Sequence, residues 1–553
     1  MNREEIKVYL DKDSSPLEKS NLLMLILNTL DELIIANCED ISDEAFGIYK
    51  KFQPMKQNAP DGMKNELFRA IRNFVIEKYS KSQKADTLLL LRFLVVKTKL
   101  LSGDLSVLAE CIADYSQLNL VFDILKMYEE KESNLPLKLL TLGNFYNLKL
   151  KDYKKAIKYY EQYLKIDETK SVIYTILASL YAKAYGDLSL NDQIKYFEKA
   201  YKLKPDNRLV LHGLAFGYEK LKNVQMANKF YEKLIKNNPT ETDFYNYGAF
   251  LISCGEFELG HKYFTHRFLT DDKNLEYPIS TNPEKKWSLQ SDITNKTLLI
   301  HYEQGFGDTF MYCRFIPLVK NLAKHVIFVV QDNLYDLIKN SKKISEGITV
   351  IPSSLKNDLE YDMHLALLDT PAVLNISAQD IPYCDSYLEV EPTKVQDYAQ
   401  KYIHKSNNLK VGICLHGNKN SNYKGRDIEL SKLQELFKLK DTDFYLLTEK
   451  KECEIKNITP LGITFHSFSD TACAIKNMDI IISTDNVILN LAGALGVKTL
   501  GLFTKYPNFR WFKLTGDNVG WYNSVQPINI DEFDCNSALV SKLINYISDC
   551  KIH

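Results

Sequence analysis

The sequence predicts a multidomain protein with an all-α N-terminal part and an α/β C-terminal part. Three observations lead to this fold class. The chain has 553 residues, which is too long for a single hydrophobic core. Residues 138–268 repeat one helical pattern at a nearly fixed period. From residue 295 onward, short apolar runs alternate with helical segments, as expected for parallel sheets covered by helices.

Composition excludes several classes of protein. Hydrophobic residues make up 45% of the chain and charged residues 25%, and the formal net charge is −1, so we expect no nucleic-acid-binding surface. The apolar run at 22–27 is too short for a membrane span and has no basic segment before it, so we expect neither a transmembrane segment nor a signal peptide. The ten cysteines are scattered without CxxC pairs or metal-ligand spacing, which favours a reduced, cytoplasmic protein.

Residues 1–137 have helical periodicity without a clear repeat. Helices are predicted at 22–35, 66–79, 85–101 and 105–127. The region is compatible with degenerate repeats and equally with a separate helical bundle.

A repeat is clear between residues 138 and 268. An aromatic residue recurs at Tyr160, Phe197, Tyr231 and Phe264, at intervals of 33 to 37 residues, and three of the four copies have Ala or Gly four residues earlier. Pro205 and Pro239 follow their aromatics by eight residues, where a helix should end. This is the tetratricopeptide pattern of two antiparallel helices per repeat of about 34 residues. The longer middle copy predicts an insertion at 184–190.

Such repeats stack into a superhelix whose concave face suits peptides or protein segments. We therefore expect a protein or peptide partner on that face. Repeats that serve only as a spacer or as a dimer contact are the alternative, so an oligomer is also compatible with the pattern.

Residues 269–294, which are polar and contain Pro278 and Pro283, are expected to form a linker. Two α/β halves follow, at 295–400 and 401–553. The predicted strands are 297–302, 325–330, 347–351, 410–415, 443–448, 478–483 and 498–503. The predicted helices are 308–323, 333–340, 430–439, 470–477, 486–496 and 534–549.

The first strand runs into a glycine turn that ends on a carboxylate. Gly305 and Gly307 allow a sharp bend and a close approach to a ligand, and Asp308 follows at the start of a helix. A structural turn capped by Asp308 is the plain alternative. The second half has a similar turn, in which Ser483, Thr484, Asp485 and Asn486 lead from a buried strand into a helix. The N–H groups of that helix start could attract an anion, or Asp485 could simply cap it.

A third candidate segment follows the predicted strand 410–415. It is polar and cationic, running from His416 through Asn418 and Lys424 to Arg426. Lys424 and Arg426 could grip a pyrophosphate, arginine by a bidentate fork and lysine as a point charge. A solvated loop with surface cations is the alternative.

Taken together, 295–553 resembles the ADP-heptose:lipopolysaccharide heptosyltransferase family, and in particular bacterial proteins that fuse tetratricopeptide repeats to that domain. The matching pieces occur in the family's order. They are EQGFGDT at 303–309, YDMH at 361–364, LLDTP at 367–371, IPY at 381–383, VGICLHGN at 411–418 with Arg426 following, STDN at 483–486, LAGALG at 491–496 and NFRWF at 508–512.

The resemblance implies a GT-B fold, in which two Rossmann-like domains face each other across a cleft, and metal-independent, inverting glycosyl transfer without a cofactor. It assigns the catalytic base to Asp308 and the donor nucleotide-sugar mainly to the C-terminal half. The residues that it implies for donor binding are His416, Asn418, Lys424, Arg426, Ser483, Thr484, Asp485, Asn486 and Asn490. Asp441-Thr442-Asp443 superficially offers a metal-binding DxD motif, but it leads straight into a strand and is predicted to be a loop.

The chain departs from the family after the acidic residue, where Thr-x-x-x-His is usual and Asn486 and Asn490 stand here. Asn cannot become cationic beside a phosphate, which leaves the donor open. Our first hypothesis is a glycosyltransferase whose repeats recruit a protein acceptor. The alternatives are a non-catalytic scaffold and an enzyme that acts on a surface glycan. A dinucleotide-binding GxGxxG is excluded because Phe310 stands where glycine is needed.

Overall fold

The computed structural model describes residues 126, 129, 132–270, 281–288, 291–356, 359–417, 426–449, 452–505, 507–512, 520–530 and 536–552. The helices predicted between 22 and 101, and nearly all of the one predicted at 105–127, lie outside these residues. The chain divides into two compact units, 1–221 and 222–553. Among the described helices, none combines the length and apolar character needed to cross a membrane.

The repeat region forms the predicted antiparallel helix pairs. In the first unit these helices are α1 (Leu135–Leu148), α2 (Tyr153–Leu164), α3 (Ser171–Tyr185), α4 (Leu190–Leu203) and α5 (Arg208–Lys220). The second unit begins with α6 (Val224–Lys236), α7 (Glu241–Ser253) and α8 (Phe257–Phe264). The predicted insertion is confirmed as a 3-10 turn over Gly186–Ser189.

The recurring aromatics are buried on the second helix of each pair, as their spacing predicts. Tyr160 packs so closely on Gly143 of the partner helix that an added Cβ there would lie 3.0 Å from the ring. Side chains of Asn134, Asp152 and Asn223 accept backbone N–H bonds at the first turns of their helices. Helix positions are therefore fixed both by small-to-aromatic packing and by caps.

The first lobe of the α/β region is a parallel sheet with the order β3-β2-β1-β4. Its strands are β1 (Thr297–His301), β2 (His325–Val330), β3 (Thr349–Pro352) and β4 (Met363–Ala366). Its helices are α9 (Phe306–Tyr312), α10 (Ile316–Lys320), α11 (Tyr335–Asn340), α12 (Lys342–Ser345) and α13 (Thr370–Leu374). The central strand β1 pairs with β2 from Thr297↔His325 and with β4 from Leu298↔Met363.

The second lobe is a larger parallel sheet with the order β10-β9-β8-β5-β6-β7. Its strands are β5 (Leu409–Cys414), β6 (Thr442–Leu446), β7 (Ile458–Pro460), β8 (Ile480–Thr484), β9 (Thr499–Phe503) and β10 (Val525–Asn529). Its helices are α14 (Pro392–Tyr402), α15 (Phe468–Lys476), α16 (Val487–Ala494) and α17 (Asn536–Ile552). Two parallel-sheet lobes after tetratricopeptide helices confirm the predicted GT-B fold class.

All seven predicted strands are present, while β4, β7 and β10 are additional. These three are short or carry polar residues, so their apolar runs are weak signals. The prediction of one helix at 430–439 was wrong, because the segment forms two 3-10 turns, Leu430–Leu433 and Leu436–Lys438. The prediction of one helix at 308–323 was also wrong. A 3-10 turn over Cys313–Phe315 separates α9 from α10, whose second residue is Pro317.

Strand order places a crevice in each lobe. In a doubly wound sheet, ligands bind at the carboxyl ends of the two strands between which the winding direction reverses. That point lies between β1 and β4 in the first lobe and between β5 and β8 in the second.

The first crevice is occupied by a side chain of the protein itself. Arg267, in the 3-10 turn that follows α8, is fully buried between Glu303 after β1 and Asp369 after β4. Its Nε donates to Glu303 at 2.8 Å, and its Nη1 donates to Asp369. The rings of Phe264 and Phe268 lie 4.6 and 4.5 Å from the guanidinium. The last helix pair is thus joined to the first lobe by a buried ionic cluster.

The same helix pair also contacts the second lobe. Phe257 of α8 packs on Phe512 and Trp521, with ring centroids 4.5 and 5.4 Å apart. Phe264 packs on Phe509 at 5.3 Å. Helix α8 therefore reaches both lobes beside the cleft that separates them.

Arg314 ties the lobes together more deeply. It is buried among the rings of Tyr387 and Tyr522 and donates to the Trp521 carbonyl at 2.6 Å and to the Tyr387 hydroxyl at 2.9 Å. Because a buried guanidinium needs such partners, this contact fixes how the lobes meet.

We predict that Arg267→Ala strongly destabilises the protein, because it leaves the buried carboxylates of Glu303 and Asp369 without their cation. Breaking such a cluster costs about 3–5 kcal/mol. Thermal unfolding should show a clearly lower melting temperature than the control Lys262→Ala, which removes an exposed cation from α8. Equal melting temperatures for the two variants would contradict this role of Arg267.

Candidate active site

A cleft of about 850 Å³ opens between the two lobes, and both turns singled out from the sequence line it. Its volume lies within the range of about 300–1,000 Å³ that is usual for small-molecule sites. From the first lobe it receives the turn before α9. From the second it receives the ends of β5 and β8, which form the open crevice of that sheet.

The first turn of α9 presents Asp308 to the cleft. Gln304 adopts a left-handed conformation with φ of 56°, and α9 begins two residues later at Phe306. Asp308 Oδ2 accepts the Gly305 N–H at 3.0 Å, so the carboxylate also caps its own helix. Its other oxygen, Oδ1, lies 2.7 Å from Nε of Arg510. Asp308 therefore caps its helix and lines the cleft at the same time. It also forms an ion pair with Arg510 that joins the first lobe to the second.

Arg510 is held in place on several sides. Only 9% of it is exposed. Its Nη1 donates to Asn508 at 2.9 Å and its Nη2 donates to Gln304, while its carbonyl accepts the Trp521 indole N–H at 2.7 Å. The guanidinium thus lies between the two lobes and contacts both.

At the turn after β8, the first two residues are buried and the next two line the cleft. Ser483 and Thr484 have no exposed surface, and the Ser483 hydroxyl donates within the turn, to the Thr484 carbonyl and to Asn486. Neither residue is among those that line the cleft, so in this structure both stabilise the turn from within the protein.

Asn486 is the cap of α16. Its Oδ1 accepts the N–H groups of Ile488 at 2.8 Å and Leu489 at 3.3 Å. Its Nδ2 donates to the carbonyls of Cys414 and His416 after β5. The expectation that this helix start holds a diphosphate with free N–H groups is therefore revised, since Asn486 already takes two of them and ties β8 to β5.

Asn490 lies where α16 meets α9. Its Nδ2 donates to the Asn486 carbonyl at 3.1 Å, and its Oδ1 accepts the Tyr522 hydroxyl at 3.0 Å. An added Cβ on Gly307 would lie 3.0 Å from Asn490 Nδ2, so a glycine permits this close approach of the lobes. Both polar atoms of Asn490 are thus engaged within the protein.

Asp485 is the acidic residue that the second turn gives to the cleft. Burial raises the pKa of Asp485 to about 6, and the negative charge of Asp308 raises it further. A hydrogen bond from the Trp511 side chain and the positive charges of Arg426 and Arg510 lower the pKa, but burial has the larger effect. The carboxyl group is therefore able to hold a proton close to neutral pH. The charges of Asp308, Arg426 and Arg510 all shift the pKa of Asp485, and all four residues line the cleft.

Arg426 brings the cationic segment to the same place. Its Nη1 donates to the Asp485 carbonyl at 2.8 Å, and its guanidinium lies over Gly417, where any side chain would collide with it. His416 also lines the cleft, with Nδ1 3.9 Å from Asp427 Oδ2. Asn418 and Lys424, which were predicted to bind the donor, lie outside the described residues.

Comparison with known proteins places these features in context. The model of the tetratricopeptide repeat matches residues 139–170. Protein FlbA of Caulobacter vibrioides is 22% identical over 366 residues, covering 60% of this chain and 60% of FlbA. The chain thus matches less than two thirds of that relative's length.

Two solved structures are similar to just under half of the chain. A glycosyl transferase family 9 structure from Veillonella parvula is 9% identical with a TM-score of 0.34, covering 47% of this chain and 91% of that one. ADP-heptose LPS heptosyltransferase II from E. coli is 13% identical with a TM-score of 0.35, covering 46% and 99%. The repeat model confirms the predicted tetratricopeptide repeats, and the two parallel sheets confirm the predicted α/β architecture after them.

Several cleft residues were not selected from the sequence. Arg510 and Trp511 were noted only as part of the motif at 508–512, and both line the cleft. Tyr245 of α7 lines the cleft as well. From the sequence, Tyr245 is only one more aromatic residue of the repeat. Its place in the cleft wall depends on the packing of α7 beside the lobes, which the sequence does not show.

The cleft therefore offers two carboxylates and two guanidiniums. Within the described part of the chain, no group of three or more His, Cys, Asp or Glu side chains is arranged to hold a metal ion. The described side chains suit a ligand with both hydroxyl and phosphate groups, because carboxylates accept from hydroxyls and arginines bind phosphates.

We predict that Asp485→Asn stabilises the protein at neutral pH. The unfolded carboxyl titrates at about 3.9, and the folded one at about 6. Because the folded pKa is the higher, the native state binds more protons between these values. The group's favourable contribution is complete below pH 4 and is lost as the pH rises through 6. The variant should gain up to about 3 kcal/mol at pH 7.5 and nothing at pH 4.

Thermal unfolding at both pH values measures this effect. Asp397→Asn, which changes an exposed carboxylate of α14 in the same conservative way, is the control. A variant that is no more stable than wild type at pH 7.5 would show that Asp485 is not destabilised by its surroundings.

Proposed function

We propose that the chain is a glycosyltransferase that moves a sugar from a nucleoside-diphosphate sugar to a protein acceptor brought by the repeats. The observation that carries this proposal is the cleft itself. It combines a carboxylate from the first lobe, Asp308, with Arg426, Arg510 and Asp485 at the open crevice of the second lobe. The sequence motifs of 303–512 support the same assignment.

The donor is assigned to the second lobe because its crevice is open, whereas Arg267 fills the crevice of the first. Arg426 and Arg510 supply positive charge for the diphosphate, in the role that a divalent cation has in other transferases. Asp485 contacts the donor sugar in this proposal, since a carboxyl group with a pKa of about 6 can accept or donate a hydrogen bond to a hydroxyl.

The proposed reaction is a single displacement at the anomeric carbon. The acceptor hydroxyl oxygen attacks that carbon and its proton passes to Asp308, which acts as general base. The bond from the anomeric carbon to the phosphate oxygen breaks, and the electron pair leaves with the nucleoside diphosphate. The arginines stabilise the negative charge that develops there. Attack opposite the leaving group inverts the configuration, and no metal or cofactor takes part.

A protein acceptor is supported by the position of the last helix pair. Tyr245 of α7 forms part of the cleft wall, and α8 packs on residues 509–512 beside it. A last helix pair that borders the cleft suits an acceptor that is held by one part of its chain and modified at another. The described cysteines are free, which is compatible with a cytoplasmic reaction.

One experiment tests the acceptor class. The full chain is incubated with radiolabelled nucleotide-sugars and an extract of the source cells, and the label is followed into protein and glycan fractions. The proposal requires label that becomes soluble after protease treatment. Label confined to lipid-linked or free glycan would replace the protein acceptor by the surface-glycan alternative.

A non-catalytic scaffold remains the second candidate, because Asn486 and Asn490 are engaged within the protein. To separate the two candidates, the protein is incubated with a panel of nucleotide-sugars, and slow hydrolysis or transfer of the sugar is measured. If no donor binds and none is turned over, the scaffold is favoured and the enzyme assignment is lost.

We predict that Asp308→Asn lowers turnover by about 100-fold or more while nucleotide binding persists, because only the proton acceptor is removed. The amide oxygen of the introduced asparagine can still accept the Gly305 N–H, so the turn should be kept. Asp336→Asn, an exposed carboxylate of the same lobe, is the control. Full activity of the Asp308 variant would eliminate it as the base.

We also predict that Arg426→Ala weakens binding of a nucleoside diphosphate by about tenfold or more, since a charge-assisted hydrogen bond contributes about 1.5–3 kcal/mol. Isothermal titration calorimetry with ADP, UDP, GDP and CDP measures the affinities. Lys432→Ala removes an exposed cation from the same lobe as a control. Unchanged affinity in the Arg426 variant would move the diphosphate away from this arginine.

A further inference from the structure

Arg510, which is proposed to bind the donor diphosphate, is paired with a carboxylate of the other lobe in this structure. Its Nε lies 2.7 Å from Asp308, the proposed base, while Asn508 and Gln304 accept from its other nitrogens. The side chain of Asp308 is 17% exposed and that of Arg510 is 11% exposed. The guanidinium therefore lies against one oxygen of the Asp308 carboxylate, and both side chains line the cleft.

Both oxygens of the Asp308 carboxylate already have partners. Oδ1 lies 2.7 Å from Arg510 Nε, and Oδ2 accepts the Gly305 N–H at 3.0 Å. An acceptor hydroxyl needs one of these oxygens within hydrogen-bond reach. Separation of the ion pair would free Oδ1 for that hydroxyl.

The same guanidinium lies within the influence of the donor site. Arg510, Arg426 and Asp485 line the same cleft, and Arg426 Nη1 donates to the Asp485 carbonyl at 2.8 Å. Trp511, the next residue, hydrogen-bonds to Asp485. One short segment, 508–511, thus contacts the acidic residue of each lobe.

A diphosphate is a stronger partner for this arginine than a single carboxylate. It carries more negative charge, and its oxygens match the guanidinium fork in a bidentate manner. The arginine needs only to exchange one anion for another within the same cleft, so its charge stays paired throughout.

We propose that Arg510 couples the two substrates: it covers Asp308 in the free protein and moves to the donor diphosphate when the donor binds. This inference rests on the proposed glycosyltransferase function and adds an order of events to it. The base becomes available only after the donor is in place, so the donor binds before the acceptor hydroxyl is engaged.

The exchange makes a distinctive binding prediction. Asp308 competes with the diphosphate for one guanidinium, so removing its charge should favour the nucleotide. We expect Asp308→Asn to tighten binding of a nucleoside diphosphate about threefold to tenfold, and Arg510→Gln to weaken it about tenfold or more. In the Arg510→Gln background, Asp308→Asn should no longer tighten binding.

Isothermal titration calorimetry of the full chain with ADP, UDP, GDP and CDP completes this double-mutant cycle. Lys432→Gln, an exposed cation of the second lobe, controls for general charge effects. If Arg510→Gln folds poorly, Arg510→Lys replaces it in the cycle, and equal or weaker nucleotide affinity in Asp308→Asn alone already overturns the exchange. Tighter binding that depends on Arg510 supports the exchange.

Other outcomes overturn the inference in distinguishable ways. If wild type binds and turns over a donor but Asp308→Asn leaves nucleotide affinity equal or weaker, the exchange is wrong and the glycosyltransferase function stands. If Asp308→Asn tightens binding equally with and without Arg510, the effect is only a general loss of repulsion and the exchange is again wrong. If wild type binds none of the four nucleotides, both proposals fail.

Discussion

The buried guanidinium of Arg267, held between Glu303 and Asp369, is the contact on which the arrangement of the cleft depends. It comes from the turn after the last repeat helix and ends in the crevice where the first sheet would otherwise receive a ligand. This contact fixes α8 against the first lobe. It also leaves the crevice between β5 and β8 as the open one.

From that anchor, a series of contacts leads to the charged groups of the cleft. Helix α8 packs through Phe264 on Phe509, and the next residue, Arg510, reaches Asp308 across the cleft. The repeats are therefore more than an attached binding module. Their last helix pair supports the segment that carries Arg510, and Tyr245 adds to the cleft wall.

Much of the architecture could be predicted from the sequence because its signals are local. The small-to-aromatic spacing of Ala156 and Tyr160 defines a repeat, and a continuous apolar run such as 480–482 defines a buried parallel strand. The segment 430–439 was wrongly predicted as a helix because its apolar residues also suit two 3-10 turns. Strand β10 was not predicted because Gln526 and Pro527 interrupt its apolar run.

The site could be predicted only in part, for a physical reason. Asp308 and Asp485 follow strands, where functional side chains collect, and both reach the cleft. Roles that depend on partners far along the chain could not be inferred. Asn486 was read as a donor contact, yet its amide joins β8 to the residues after β5. The pairing of Arg510 with Asp308 likewise arises only when the two lobes are brought together.

A crystal structure of the full chain with its tightest-binding nucleoside diphosphate tests the central claim most directly. We expect the diphosphate to lie at the carboxyl ends of β5 and β8, within hydrogen-bond distance of Arg426 and Arg510. We also expect Arg510 to have separated from Asp308. A diphosphate bound elsewhere, or an ion pair between Arg510 and Asp308 that persists beside the bound nucleotide, would contradict this claim.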